Sequence, residues 1–198
     1  MSVVLVDSGV ANLFSVVTAL RRLGVEPVVA DDPGAIRHAS RVILPGVGTA
    51  RTAMDALNRK GLTDVLRGLT QPLLGICLGM QLLFERSTEG GDTPCLGIIP
   101  GTVEKLRTQP GFAIPHMGWD EVKVKASAHP LLDGVKDGSF VYFVHSFAAK
   151  ENPAALAVCD YSETFTAIAG YKNAFGCQFH PERSGAIGQR ILENFLGL

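Results

Sequence analysis

The chain has 198 residues, 46% hydrophobic and 19% charged, which suits one α/β domain with a full core over residues 1–198 and leaves too little for a second. A net charge of −1, with neither a basic run nor an RNA-binding aromatic pattern, excludes nucleic acid as the expected partner and leaves small molecules or protein. Four cysteines without CxxC pairing, no basic leader ahead of Val3 and no apolar run long enough to cross a bilayer point to a reducing cytoplasm.

Val3 to Val6 is a β-branched run that ends at Asp7-Ser-Gly9, after which Leu13, Val16, Val17, Leu20 and Leu23 recur at helical spacing up to Gly24. Glu26 to Ala30 and Arg41 to Leu44 read as a second and third strand, with a short helix between Pro33 and Ala39. Such alternation predicts a mostly parallel central sheet with helices on both faces. The third strand runs into Pro45-Gly-Val-Gly48, and Thr49 is positioned to cap a helix carrying Met54 and Leu57. A fourth strand, Pro72 to Ile76, leads to Cys77, and helical spacing follows through Met80, Leu82, Leu83 and Phe84. Beyond the turn at Gly90 to Pro94 the segments around Ile98, Val103, Val122 to Val124 and Phe140 to Val144 are short and broken by Gly and Pro. They predict a smaller antiparallel or mixed sheet, extended by Ala155 to Cys159, Phe165 to Ala169 and Ala174 to Phe179. A last helix, with Ser184 as its expected cap, would bury Ile187, Ile191, Leu192 and Phe195.

The chemistry concentrates at Gly75-Ile-Cys-Leu-Gly79. A cysteine at a sharp strand-to-helix turn needs small residues two positions either side, because the turn strains its backbone and brings neighbouring chain close. The positive end of the following helix favours a thiolate there. The plain alternative is a core cysteine beside two packing glycines. A cysteine nucleophile needs a base and a group to orient the base. In Gln178-Phe-His-Pro-Glu182, the proline biases His180 toward an extended backbone. His180 and Glu182, two apart on an extended chain, would then share a side, leaving one ring nitrogen facing Cys77. An oxyanion hole is supplied by the N–H of Leu78 and, from the neighbouring strand end, the turn at Val47 and Gly48. Cys177 and His180 are three residues apart but lack two further ligands of matching spacing, so neither a metal nor another cofactor is expected. Cys95, Cys159 and Cys177 read as core, and His38 and His129 as surface or loop residues.

Taken together, Pro45-Gly-Val-Gly48, Gly75-Ile-Cys-Leu-Gly-Met-Gln81 and Gln178-Phe-His-Pro-Glu182 resemble the three signatures of class I, triad-type glutamine amidotransferases, whose fold is a flavodoxin-like three-layer α/β domain. Asp7-Ser-Gly-Val-Ala-Asn12-Leu, Pro115-His-Met-Gly-Trp119, Tyr142-Phe-Val-His-Ser146 and His180-Pro-Glu-Arg-Ser184 are similar to the glutaminase subunits of imidazole glycerol phosphate synthases, from histidine biosynthesis. The resemblance implies Cys77 as nucleophile, His180 as acid and base, and Glu182 as its orienting carboxylate, acting on L-glutamine. It implies that Gln81 and Glu89, with backbone at His145, Ser146 and Phe147, hold the amino-acid end of glutamine. It implies a heterodimer with a (βα)₈-barrel cyclase subunit that receives the ammonia, with Asn12, Trp119 and Arg183 at the interface near the passage.

Two departures bear on that resemblance. Thr88 stands beside Glu89 where many members have a second acidic residue. Val47 stands where many have a second glycine, and a β-branched residue disfavours the positive φ of an inward-turned peptide. An oxyanion hole poorly formed in the isolated subunit, and completed by partner and nucleotide, is therefore expected. From the residues alone, a stand-alone cysteine hydrolase of similar topology and a catalytically silent binding module stay open. In the plain alternatives Gln81 is an exposed helical position, Asn12 a helix-start cap, Trp119 a partly buried aromatic in a Pro- and Gly-framed loop, and Arg183 a surface cation.

Overall fold

The computed structural model of the protein describes residues 2–9 and 12–198. Val10 and Ala11, inside the amino-terminal motif quoted above, lie outside the described residues. The amino-terminal half alternates as its periodicity predicts: β1 (Val3–Val6), α1 (Leu13–Arg22), β2 (Val28–Ala30), α2 (Pro33–His38), β3 (Arg41–Gly46), α3 (Ala50–Arg59). A short α4 (Thr63–Arg67), which the sequence reading did not anticipate, precedes β4 (Leu73–Cys77) and α5 (Leu78–Leu83). Phe84 does not continue that helix. Its backbone enters β5 (Phe84–Ser87), opposite Ile99, and its carbonyl accepts from Gly97.

The later strands are β6 (Thr93–Pro94), β7 (Ile99–Lys105), β8 (His116–Val124), β9 (Ser139–His145), β10 (Phe147–Ala149), β11 (Ala155–Asp160), β12 (Thr164–Tyr171) and β13 (Ala174–Cys177), followed by α6 (Gly185–Gly197). Among the described residues they divide between two sheets. The large one runs β2-β1-β3-β4-β13-β12-β11-β8-β9, parallel from β2 through β13 and antiparallel beyond. The smaller, mixed sheet is β10-β7-β5-β6. The expected smaller sheet thus exists, but of the segments expected in it only those around Ile98 and Val103, at β7, contribute. Val122 to Val124 of β8 and Phe140 to Val144 of β9 belong to the large sheet, at the edge that continues beyond β11. The carboxy-terminal strands join the large sheet instead, because β13 pairs with β4 on one side and β12 on the other.

Two apolar layers follow from strand alternation. Val3 and Leu5 of β1 point to one face, where Val16 and Leu20 of α1 and Ile191, Leu192 and Phe195 of α6 pack. Val4 and Val6 point to the other, against α2, α3, α4 and α5, with Ile99 and Val103 of the small sheet beyond. Each fully buried side chain of this size contributes about 1.5–3 kcal/mol relative to exposure. Ile187, expected in the core, is only partly buried.

Register places the three motifs side by side. Gly46 of β3 lies opposite Cys77 of β4, and Cys177 of β13 lies opposite Ile76. Pro45-Gly-Val-Gly48, Cys77 and the segment leading to His180 therefore leave the sheet at one edge, at the carboxyl ends of adjacent parallel strands, where open α/β sheets place their sites.

Candidate active site

Cys77 adopts φ 54° and ψ −112°, a backbone that costs a non-glycine residue on the order of 1–3 kcal/mol and persists only where surroundings enforce it. The enforcement comes from two glycines. A β-carbon on Gly75 would lie 2.6 Å from the Gly79 carbonyl carbon, and one on Gly79 would collide with the Leu44 carbonyl of β3. Only with both side chains absent can β4, α5 and β3 close around the turn. The cysteine is 7% exposed, its Sγ 3.8 Å from the Val144 carbonyl and 3.9 Å from Nε2 of Gln178.

His180 is extended as expected, at φ −97° and ψ 96°. Pro181–Arg183, however, is a 3-10 turn rather than continued extended chain, so Glu182 reaches the ring by curling back. Glu182 Oε1 is 2.8 Å from His180 Nδ1, while Oε2 is buried without a partner among the described residues. Burial alone would depress the His180 imidazole. Hydrogen bonding with Cys77 and Glu182, reinforced by their charge, outweighs it and raises the group to about 10. The turn is anchored by Ser184. Its hydroxyl donates to the His180 carbonyl and accepts from the Tyr142 amide, so it makes no side-chain cap on α6, contrary to expectation.

A cavity of about 200 Å³ is lined by Cys77, Leu78, Val47, Gly48, Gln81, Glu89, His145, Ser146, Phe147 and His180. Every residue expected at the oxyanion turn or around glutamine therefore faces one space. Gln81 is buried rather than exposed, and its amide nitrogen donates to the Phe147 carbonyl at 2.7 Å and to Gln178 Oε1 at 3.0 Å. Glu89 Oε2 accepts from the Ala50 amide at the start of α3. Thr49 caps the same helix end, as expected. At the facing turn, Gly48 takes a positive φ of 92°, whereas Val47 does not and stays 42% exposed.

A second cavity, about 190 Å³, shares His180 in its wall and is lined by Asn12, Gly46, Glu182 and Arg183 among others. Val47, Val144 and His180 border both spaces. Asn12 sits at the start of α1 without a side-chain cap, so its plain alternative fails. Trp119 lines neither cavity. It is not in a loop but within β8, opposite Tyr142 and 55% exposed, with ring centroids 6.0 Å apart.

The family description that matches this chain, over residues 4–197, is glutamine amidotransferase class-I. The chain belongs to the class I glutamine amidotransferases. Among similar proteins of this family, the imidazole glycerol phosphate synthase subunit HisH of Xylella fastidiosa (strain Temecula1) is 53% identical over 194 residues, covering 98% of this chain and 96% of that protein. The protein of the same name from Escherichia coli (strain K12) is 50% identical over 196 residues, covering 99% of each. Of solved structures, one described as a glutamine amidotransferase superposes with a TM-score of 0.74 at 19% identity, covering 98% of this chain and 97% of that one. PurLQS from Thermotoga maritima gives 0.71 at 20% identity over 99% and 97%. At such identities these two show shared fold alone.

Within this amidotransferase site the sequence reading missed two features. Gln178, fully buried, bridges Gln81 and Cys77, and its position two residues before His180 on an extended chain was the signal that could have found it. His116 and Asp120 stand behind His145 in space but 29 and 25 residues from it in sequence, and no local pattern joins them. His129 is a loop residue, as expected; it caps the 3-10 turn Pro130–Leu132 and is partly buried beside Phe175. Cys95, Cys159 and Cys177 are buried, as expected, and burial pushes the Cys95 thiol up to about 11.

Proposed function

We propose that the chain is the glutaminase subunit of an imidazole glycerol phosphate synthase and that Cys77, His180 and Glu182 carry the hydrolysis. The observation that carries this reading is the pair of cavities bordered in common by Val47, Val144 and His180. One presents the thiol together with groups suited to an amino acid; the other leads toward Asn12 and Arg183. A stand-alone hydrolase has no use for the second.

In this mechanism the Cys77 sulfur, as thiolate beside the His180 imidazolium, attacks the side-chain amide carbon of glutamine. The amide N–H groups of Leu78 and of the Val47–Gly48 turn stabilise the oxyanion that forms. His180 gives its proton to the leaving nitrogen, the C–N bond breaks and ammonia departs, leaving a glutamyl thioester. His180, now neutral, takes a proton from water, whose oxygen attacks the thioester carbon; the C–S bond breaks and glutamate leaves. Glu182 holds Nδ1 throughout, so Nε2 faces the reacting atoms. Ammonia then passes His180 into the second cavity and on to a (βα)₈-barrel cyclase subunit, docked against Asn12, Trp119 and Arg183. There it enters a phosphoribulosyl aminoimidazole carboxamide nucleotide, giving imidazole glycerol phosphate and aminoimidazole carboxamide ribonucleotide.

The test is Cys77→Ala in complex with the barrel subunit. Glutamine-dependent synthesis is expected to fall by about 10⁴-fold or more, while synthesis from ammonium salts is retained. Loss of both would make Cys77 structural, and hydrolysis of unrelated esters without any partner effect would favour the stand-alone hydrolase.

A further inference from the structure

Behind the wall of the thiol-side cavity two buried histidines meet. His116 of β8 and His145 of β9 are direct cross-strand partners, 2% and 6% exposed, with His116 Nδ1 3.2 Å from His145 Nε2. The other nitrogen of His145, Nδ1, lies 3.0 Å from the Phe147 carbonyl oxygen. The other nitrogen of His116, Nε2, lies 3.3 Å from Asp120 Oδ2, four residues further along β8. The His116 ring is stacked against Tyr161, centroids 3.9 Å apart, and against Phe143 at 4.8 Å, so its plane is fixed.

The direction of donation follows from the ends of this line. A carbonyl only accepts, so His145 must present Nδ1–H to Phe147, which leaves its Nε2 to accept from Nδ1–H of His116. Burial, and after it the neighbouring His116, holds the His145 imidazole down to about 3, so the ring is neutral and can both donate and accept. At the other end the Asp120 carboxylate also only accepts, so His116 holds both ring protons when it donates from Nδ1 to His145 and from Nε2 to Asp120. Burial lowers its hold on the second proton, and the Asp120 charge and hydrogen bond oppose that. The Phe147 carbonyl at the end of the line also receives the Gln81 amide at 2.7 Å, and Phe147 borders the thiol-side cavity. At the start, Asp120 adjoins Trp119, and both Trp119 and Met117 are exposed on the same strand.

We propose that His116, with Asp120 behind it, is a positioning residue for the glutamine site: through His145 it orients the Phe147 carbonyl, linking the exposed strand β8 to the wall that holds substrate. This inference rests on the glutaminase reading above. Because the line touches the binding wall and not the sulfur, its loss should weaken substrate binding more than it slows chemistry.

The experiment uses the complex with the barrel subunit. His116→Phe keeps the stacking and removes both ring nitrogens, and it is expected to raise KM for glutamine about tenfold with kcat changed less than about twofold. His116→Asn, which puts an amide donor near the lost Nδ1, is expected to bring KM back to within about threefold of wild type. An unchanged KM in His116→Phe, or equal rises in both variants, would overturn the proposal. Nitrogen NMR of the wild-type protein tests it even if a variant does not fold: the Nδ1–H tautomer of His145 is required, and the Nε2–H tautomer sinks the idea. Wild-type complex that releases no ammonia from glutamine would instead sink the glutaminase reading, leaving the tautomer result standing.

Discussion

The two cavities that flank His180 are similar in size but unlike in what faces them. The thiol-side space is walled by backbone and amide groups already bonded to one another: Gln81 to Phe147 and Gln178, Glu89 to the start of α3, His145 to Phe147. The far space has side chains without such ties, including a cap-position Asn12 that makes no cap and a Glu182 oxygen with no partner among the described residues. The difference teaches that the thiol-side wall is preorganised by the fold, whereas the far side keeps hydrogen-bonding capacity uncommitted. Val47, Val144 and His180 stand between them, so a small change at this border should act on both spaces.

The largest break in that contrast should come from Glu182→Gln, which touches the far cavity yet acts on the near one through His180. Turnover is expected to fall about 10²–10⁴-fold, since the ring loses the charge that fixes its tautomer. In the wild type His180 is raised above its ordinary 6.5, so the imidazolium persists up to about 10, and activity should decline as pH rises through that value. In Glu182→Gln the alkaline limb should move down. A pH–rate profile with an unmoved limb would show that Glu182 does not set the proton affinity of His180.

On the near side, preorganisation has an acid liability. The His145 imidazole is depressed to about 3, so between about 6.5 and about 3 the unfolded chain binds a proton that the folded chain refuses. Stability present above 6.5 should therefore be lost as pH falls toward 3, by on the order of 4 kcal/mol in total. Urea unfolding at stepped pH would measure this, and His145→Gln should flatten the slope. Equal slopes in both proteins would place the acid sensitivity elsewhere.

The smallest expected effect sharpens the border itself. Val47→Gly frees the peptide beside Gly48 to take a positive φ, and glutamine hydrolysis by the isolated subunit is expected to rise about tenfold. If the wild-type protein on its own hydrolysed glutamine as fast as the stimulated complex, the basis for this expectation would be gone.

What the sequence revealed follows the range of the forces involved. The parallel half was legible because strand and helix periods and the Gly75–Cys77–Gly79 spacing are local, and because steric closure at Gly79 leaves only one kind of residue there. His180 and Glu182 were legible through Pro181, although the bond is made by a 3-10 turn. Trp119 was misplaced in a loop because Pro115 and Gly118 look like breakers, yet β8 pairs straight through Gly118 to Phe143. Ser184 looked like a cap because residue type and helix start coincide, but the His180 carbonyl and the Tyr142 amide compete successfully for its hydroxyl. The His116–His145 contact was not legible at all, since cross-strand register alone creates it.

The place of β13 in the sheet has a consequence for how the molecule comes into being. It follows every other described strand in the chain but sits between β4 and β12, and its following residue Gln178 reaches back across 101 positions to Cys77. Until this segment leaves the ribosome the large sheet is divided and His180 cannot stand beside Cys77. Domains of this kind close such long loops late, because chain entropy must be overcome before distant contacts reward it. Under the proposed mechanism, a nascent chain that has not yet reached Glu182 is catalytically silent by construction, and ammonia is released only by a molecule whose sheet has been closed from behind.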